Sequence, residues 1–516
     1  MMDDARRDEE ETTRLRRVPT GVPGLDAVLH GGLFSGGAYI LQGAPGTGKT
    51  TLANQICFHH ARGGGRALFV TLLAESHGRM RQNIEAFRFF EPGLVPDGVY
   101  YISAFNTLED EGLRGLMVLL RREVQARRAS ILVLDGLLIA AETAGSDQEF
   151  RKFIHELQAH LTAQDCVALL LTGGARSVYQ PEHTIVDGLI ALEDVRLGNR
   201  VQRNLEVHKT RASSALRGRH PYRITNDGIM VYPRTEALFA YPSQVNSNSR
   251  ERIPFGVPDL DAMMGGGPLR GTTTLILGAS GAGKTTLGMH FLAQARADEP
   301  AMHFGFYETP ERLKSNAEAV GLDLARLVEQ GHLEILWRPT TEQILDDVAD
   351  QLIAAVRLRK VRRLFIDGLG GYVDAVDQLD RVSHVFTALA NELRALSVTT
   401  VYSGETNNLV GPEVLVPVDG ISAIVENLVL LRFAEYRARL YRLLSIMKVR
   451  GSGFDPRLRE FRVTDTGIRL ADGFESAEAM LSGFGIEREG ADSAGDWRGA
   501  ERPDVRQARM PPRRGR

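Results

Sequence analysis

Two lysines, each closing a glycine-rich stretch and followed by two threonines, carry the first chemistry legible in this chain. Gly43-Ala44-Pro45-Gly46-Thr47-Gly48-Lys49-Thr50-Thr51 and Gly278-Ala279-Ser280-Gly281-Ala282-Gly283-Lys284-Thr285-Thr286 stand 278 − 43 = 235 residues apart. Glycines let the backbone curl around phosphates with its N–H groups turned inward, a following helix N-terminus adds positive potential, and the lysine brings a mobile charge to the β- and γ-phosphates. Thr50 and Thr285 would each offer a hydroxyl to Mg²⁺. Each stretch follows a short apolar run, Ala38 to Gln42 or Thr274 to Leu277, and opens a segment of helical spacing. That strand, loop and helix context is what a phosphate-binding loop requires. A glycine-rich turn that precedes a lysine by accident is the competing reading, and two copies in one register argue against it.

A nucleotide site also needs a carboxylate for the Mg²⁺ shell, usually at the end of a buried strand. Asp135, after Ile131 to Leu134, and Asp367, after Leu364 to Ile366, stand in that place, with a helix cap as the alternative role. Hydrolysis needs a further group to orient or deprotonate water. Glu75 and Glu308 lie 75 − 49 = 26 and 308 − 284 = 24 residues beyond their lysines, each after an apolar strand. A carboxylate ending the strand beside the phosphate loop would reach the γ-phosphate, so both are expected as general base. The rival is a solvated glutamate at a helix start, because Ser76 and Thr309-Pro310-Glu311 also read as helix starts. Lys209-Thr210-Arg211 recurs as Lys448-Val449-Arg450, at an offset of 448 − 209 = 239. Strand alternation puts both cations of a pair on one face, where they are costly without an anion. No acidic run lies nearby, so the pairs are expected to meet the γ-phosphate of a neighbouring copy, as an arginine finger does. A strand face with solvated charges is the alternative.

The elements that must position these groups repeat as well. Gly21-Val22-Pro23-Gly24-Leu25-Asp26 and Gly256-Val257-Pro258-Asp259-Leu260-Asp261 precede the loops at the same offset of 235 and read as a turn, a short helix and a second turn. In the first half, buried strands are expected at 66–73, 130–135 and 167–172, with helices at 78–90 and 148–162. Strands alternating with helices imply a mostly parallel sheet covered on both faces. Segments 188–193 and 201–209, like 427–433 and 441–449, lack an intervening helix and predict antiparallel strands appended to each sheet. The expected organisation is a disordered tail over 1–13, a domain over 14–240, a polar linker over 241–252, a second domain over 253–482, and a disordered basic tail over 483–516.

A chain of 516 residues supports two cores, and its 43% hydrophobic and 25% charged content is that of an ordinary globular protein. No run suggests a membrane span, and the charged N-terminus lacks an apolar secretion signal, so the cytoplasm is the expected location. Cys57 and Cys166 read as reduced core thiols. A net charge of −3, with no basic stripe interleaved with aromatics, does not favour nucleic acid as partner.

The duplicated lead-in, phosphate loop, strand-end aspartate and Lys-x-Arg strand together resemble the KaiC family of RecA-type ATPases, over about residues 15 to 480. The resemblance implies tandem RecA-like P-loop NTPase domains, ATP and Mg²⁺ at subunit interfaces of a homohexameric double ring, slow hydrolysis, and a signalling partner that reads the nucleotide state. It also implies autophosphorylation in the second ring, for which Gly420-Ile421-Ser422-Ala423-Ile424 keeps a serine at Ser422 and has Ala423 in place of threonine. Where the family has two adjacent glutamates, this chain has Ala74-Glu75 and Tyr307-Glu308. A phenol is a poor base at neutral pH. The ordered two-site phosphorylation cycle is therefore expected to be lost, with Ser422 the position left to an autokinase.

Overall fold

The computed structural model describes residues 16–73, 82–173, 182–211, 213–243, 249–374, 381–406, 421–436 and 439–471. Glu75 and both expected tails lie outside the described residues, as does the side chain of Ser422, which stands in the short helix Ile421–Ile424.

A small hairpin, β1 (Arg17–Val18) with β2 (Leu33–Phe34), frames the first lead-in. The first large sheet is built from β3 (Ala38–Gly43), β4 (Ala67–Thr71), β5 (Val99–Ser103), β6 (Ile131–Asp135), β7 (Val167–Thr172), β8 (Gly188–Leu197), β9 (Arg200–Thr210), β10 (Arg219–Thr225) and β11 (Gly228–Val231). Its order is β11-β10-β9-β8-β3-β7-β6-β4-β5. The second sheet uses β12 (Thr273–Gly278), β13 (Ala301–Gly305), β14 (Leu333–Trp337), β15 (Arg363–Asp367), β16 (Thr399–Glu405), β17 (Asn427–Tyr436), β18 (Arg439–Val449), β19 (Arg459–Thr464) and β20 (Gly467–Leu470), in the order β14-β13-β15-β16-β12-β17-β18-β19-β20. Read from opposite ends, the two orders are the same. The chain folds as the expected tandem of RecA-like units, each a parallel sheet with antiparallel strands at one end.

The central strands are apolar throughout because both faces are covered. Along β6, Ile131 and Val133 enter one core with Leu52 and Phe58 of helix Lys49–Arg62, while Leu132 and Leu134 enter the other with residues of helices Phe105–Arg127 and Asp147–Ala163. The antiparallel part is larger than expected. Besides β8 and β9, strands β10 and β11 continue the sheet, as β19 and β20 do in the second half.

Two local devices recur. In each lead-in the aspartate reaches back to cap the preceding turn: Asp26 accepts from the N–H of Thr20 at 2.9 Å and of Gly21 at 3.3 Å, and Asp261 from Phe255 at 2.6 Å and Gly256 at 3.0 Å. In each antiparallel hairpin a bulge precedes the Lys-x-Arg segment. Leu189 faces Lys209 but Ile190 faces Val207, so His208 is extra; Leu428 faces Lys448 but Val429 faces Ile446, so Met447 is extra.

The two units are clasped together. Helix Thr235–Leu238, at the end of the first, rests on helices Leu345–Arg359 and Arg381–Ala395 of the second. Asp346, fully buried, accepts from the Thr235 N–H at 2.8 Å, its hydroxyl at 2.9 Å, and Arg381 Nη2 at 3.0 Å. Arg381 also meets both carboxylate oxygens of Glu236 at 3.0 Å, and Arg234 shares its Oε1. Burial pushes the Asp346 carboxyl up against the pull of Arg381. Burial acts the same way on Glu236, but Arg381 and Arg234 outweigh it and hold that carboxyl below the usual glutamate range.

Candidate functional site

Both phosphate loops connect a central strand to a helix, β3 to Lys49–Arg62 and β12 to Lys284–Ala293. Gly48 and Gly283 stand at the helix N-caps with φ of 93° and 103°, a conformation that disfavours side chains. Neither helix has a side-chain cap, which leaves its first N–H groups available to a phosphate. A Cβ on Gly48 would also come within 2.8 Å of Ile224 on β10. Strand β10 supports the loop from below, and its Tyr222 donates to the Thr47 carbonyl at 2.5 Å. In the second unit Phe461 on β19 lies beneath Gly283. Sequence reading missed this support, because it comes from the strands beyond the expected hairpin.

The lysines fold back onto their own loops. Lys49 Nζ donates to the carbonyls of Gly43 at 2.8 Å and Ala44 at 3.0 Å, and Lys284 to that of Ala279 at 2.8 Å. Burial pushes both amines down; Asp135 opposes this for Lys49, and Glu405 and Asp367 oppose it for Lys284. The expected metal ligands also meet. Thr50 Oγ1 donates to Asp135 Oδ2 at 3.1 Å, and Thr285 Oγ1 to Asp367 Oδ2 at 2.9 Å. Among the described residues no group of three His, Cys, Asp or Glu side chains is poised to hold a metal. One hydroxyl and one carboxylate suit Mg²⁺, which keeps waters and takes further oxygens from phosphates.

Glu308 follows β13, but that strand does not lie beside the phosphate-loop strand, contrary to the expectation from sequence. Strands β15 and β16 intervene, so Glu308 neighbours the Asp367 strand, and it accepts from Asn316 Nδ2 at 3.1 Å. Of the two strands that flank β12, β16 and β17, it is β16 whose last residue, Glu405, puts a carboxylate in register with Gly278. Arg442 on β18 lies 3.4 Å from the carbonyl of Gly281. Neither residue was singled out from sequence, since cross-strand register is not a local signal. Beside the second site, Tyr307 is exposed, and its ring covers Gly368, where a Cβ would approach it to 2.5 Å.

The first Lys-x-Arg pair does share a face. Lys209 Nζ donates to the carbonyls of His183 at 2.8 Å and Thr184 at 3.0 Å, and Arg211 to that of Thr184 at 2.8 Å, at the end of helix Glu182–Ile185. Asp187 stands 3.5 Å from Arg211, an anion that the search for an acidic run overlooked. Burial and Arg211 push the Lys209 amine down. Lys448 likewise donates to the Val425 carbonyl at 2.8 Å, and the Arg450 N–H to Glu426. Lys209 faces Leu189, which faces Ile40; Lys448 faces Leu428, which faces Leu275. Each lysine is therefore level with a residue three positions before the loop's first glycine, about 10 Å back along the strand.

Ordinary features agree with the composition: Cys57 and Cys166 are buried free thiols, with Cys166 pushed up to about 12 by burial, and no described helix is long and apolar enough to cross a membrane. Comparison with known proteins places the whole arrangement. The family described as "ATPase: KaiC" matches twice, over residues 18–236 and 253–473. The circadian clock oscillator protein KaiC of Picosynechococcus sp. is 27% identical over 91% of this chain and 92% of its own length, and that of Rippkaea orientalis 27% over 93% of each. KaiC 1 of Synechocystis sp. is 27% identical over 91% of this chain. With both halves matched, each around a phosphate loop whose Thr–Asp pair is assembled, the chain belongs to the KaiC family of ATPases.

Proposed function

We propose that this chain binds and hydrolyses Mg-ATP at two sites, each completed by a neighbouring subunit in a homohexameric double ring, and that a signalling partner reads its nucleotide state. One observation carries the inter-subunit part. Lys209, Arg211, Lys448 and Arg450 sit toward the opposite end of the strands from their own phosphate loops. A cation placed there is better sited for a phosphate on another copy than for the one on its own loop. Within each site, Lys49 or Lys284 binds the β- and γ-phosphates, and residues 43–51 or 278–286 wrap them with backbone N–H groups. Thr50 with Asp135, and Thr285 with Asp367, hold the metal, which supplies charge neutralisation at the phosphates when bound. Glu75 and Glu308 orient or deprotonate the attacking water.

The relatives named as circadian clock oscillator proteins favour a switch over a motor, and the proposed location is the cytoplasm. We do not adopt the autokinase reading of Ser422, because the position before Glu308 is a tyrosine whose ring covers Gly368. Native mass spectrometry with and without Mg-ATP tests the ring, and a monomer at saturating nucleotide refutes the role of the Lys and Arg pairs. Turnover by Glu75→Gln, Glu308→Gln and the double variant tests the bases. Wild-type rates in all three would remove both glutamates from the mechanism.

A further inference from the structure

The two sites differ in what stands behind the metal-facing aspartate. In the first, β4 brings Phe69 and Thr71 alongside β6, and β7 brings Leu171 opposite Asp135. The matching register in the second places His303 and Gly305 on β13 and Ser403 on β16. These three replacements fit together. Ser403 donates to Asp367 Oδ1 at 2.5 Å while accepting from the Gly368 N–H at 2.8 Å, so its hydroxyl ties the carboxylate to the backbone that follows it. The His303 ring occupies the space a side chain at position 305 would take, since a Cβ on Gly305 would lie 2.3 Å from its Cε1. From there Nε2 comes to 3.9 Å from Asp367 Oδ2, too far for a hydrogen bond. His303 is 1% exposed, and neither ring nitrogen has a hydrogen-bond partner among the described residues. An unpaired buried polar group is costly, so its presence beside a ligand site calls for a cause.

We propose that His303 and Ser403 are positioning residues of the second nucleotide site, where they fix the Asp367 carboxylate and make this site hold the divalent cation more tightly than the first. Ser403 occupies Oδ1 and leaves Oδ2, already facing Thr285, as the oxygen directed at the metal. His303 packs behind that same oxygen, with Nε2 at 3.9 Å. Partners of this kind orient ligating carboxylates, and their loss typically weakens metal binding about 10-fold or more.

This inference rests on the proposed Mg-nucleotide role of the second loop, and the test separates the two. In the full chain carrying Lys49→Ala to silence the first site, Mn²⁺ binding with a non-hydrolysable ATP analogue is followed by the electron paramagnetic resonance of free Mn²⁺. Analogue affinity in EDTA is measured in parallel. Ser403→Ala and His303→Phe, the latter installing the first site's own residue, should each weaken Mn²⁺ about 10-fold, with analogue affinity in EDTA unchanged and Ser403→Thr restoring the parent value. Mn²⁺ affinity within twofold of the parent in both variants overturns the proposal, as does an equal loss of analogue affinity in EDTA. Failure of the parent itself to bind Mn²⁺ with the analogue would instead defeat the Mg-nucleotide reading, and the inference with it.

Discussion

Replacing Arg381 with methionine should destabilise the second unit by about 3 kcal/mol, a value set by what the arginine leaves behind. Its side chain is 14% exposed and contacts carboxylates that are 13% and 0% exposed, so the near-zero value typical of surface pairs does not apply. Breaking a buried pair costs roughly 3–5 kcal/mol. The low end is expected because neither acid is stranded: Glu236 keeps Arg234 at 2.9 Å, and Asp346 keeps the N–H and hydroxyl of Thr235. For a unit of this size about 3 kcal/mol lowers Tm by roughly 6–12 °C. Scanning calorimetry of the full chain, in which the two units are free to melt separately, is the assay. Adding Asp346→Leu should not recover the loss, because it strips the buried N–H and hydroxyl of Thr235 of their acceptor. A shift below about 2 °C for Arg381→Met would refute the reasoning and reduce the clasp to contact without energetic weight.

Three other outcomes follow from the same geometry. Glu236 titrates below the usual glutamate range in the folded state, so its contribution is complete above about pH 4.3 and is lost as pH falls; Glu236→Gln should make the acid limb of a stability-against-pH curve shallower. Gly24 has a φ of 78°, and a Cβ there would lie 1.9 Å from the Val231 carbonyl, so Gly24→Asp, which copies the second lead-in, should cost more than about 2 kcal/mol in urea unfolding, whereas Asp259→Gly should cost about 1 kcal/mol or less. Tyr222→Phe deletes one hydrogen bond beneath the first phosphate loop, and because Phe461 fills the matching place in the second, the expected loss is about 1 kcal/mol of stability with ATP binding retained by calorimetric titration.

What the sequence revealed and what it hid divide along physical lines. The phosphate loops and the Thr–Asp pairs depend on short contiguous patterns, glycines at fixed offsets and an acid closing an apolar run, and both Thr–Asp pairs are assembled. Sheet alternation also placed Lys209 and Arg211 on one face, where both donate to Thr184. Strand order is another matter. Nothing in the run that ends before Glu308 says that two strands separate it from the phosphate loop, or that Glu405 is the acid in register with Gly278. His303 and Ser403 sit in buried strands and look like tolerated polar positions until the register brings them to Asp367. The clasp joins Thr235, Glu236, Asp346 and Arg381, residues more than a hundred positions apart across the two units, and no periodicity connects them.

The bulges at His208 and Met447 bear on the history of the chain. Each inserts a single residue at the same point of the same hairpin, immediately before the lysine of a Lys-x-Arg pair. Two independent insertions at one site, each preserving the downstream cations, are a less economical account than one insertion inherited twice. The irregularity then predates the duplication that made the tandem, and the single-unit ancestor already turned those cations away from its own loop.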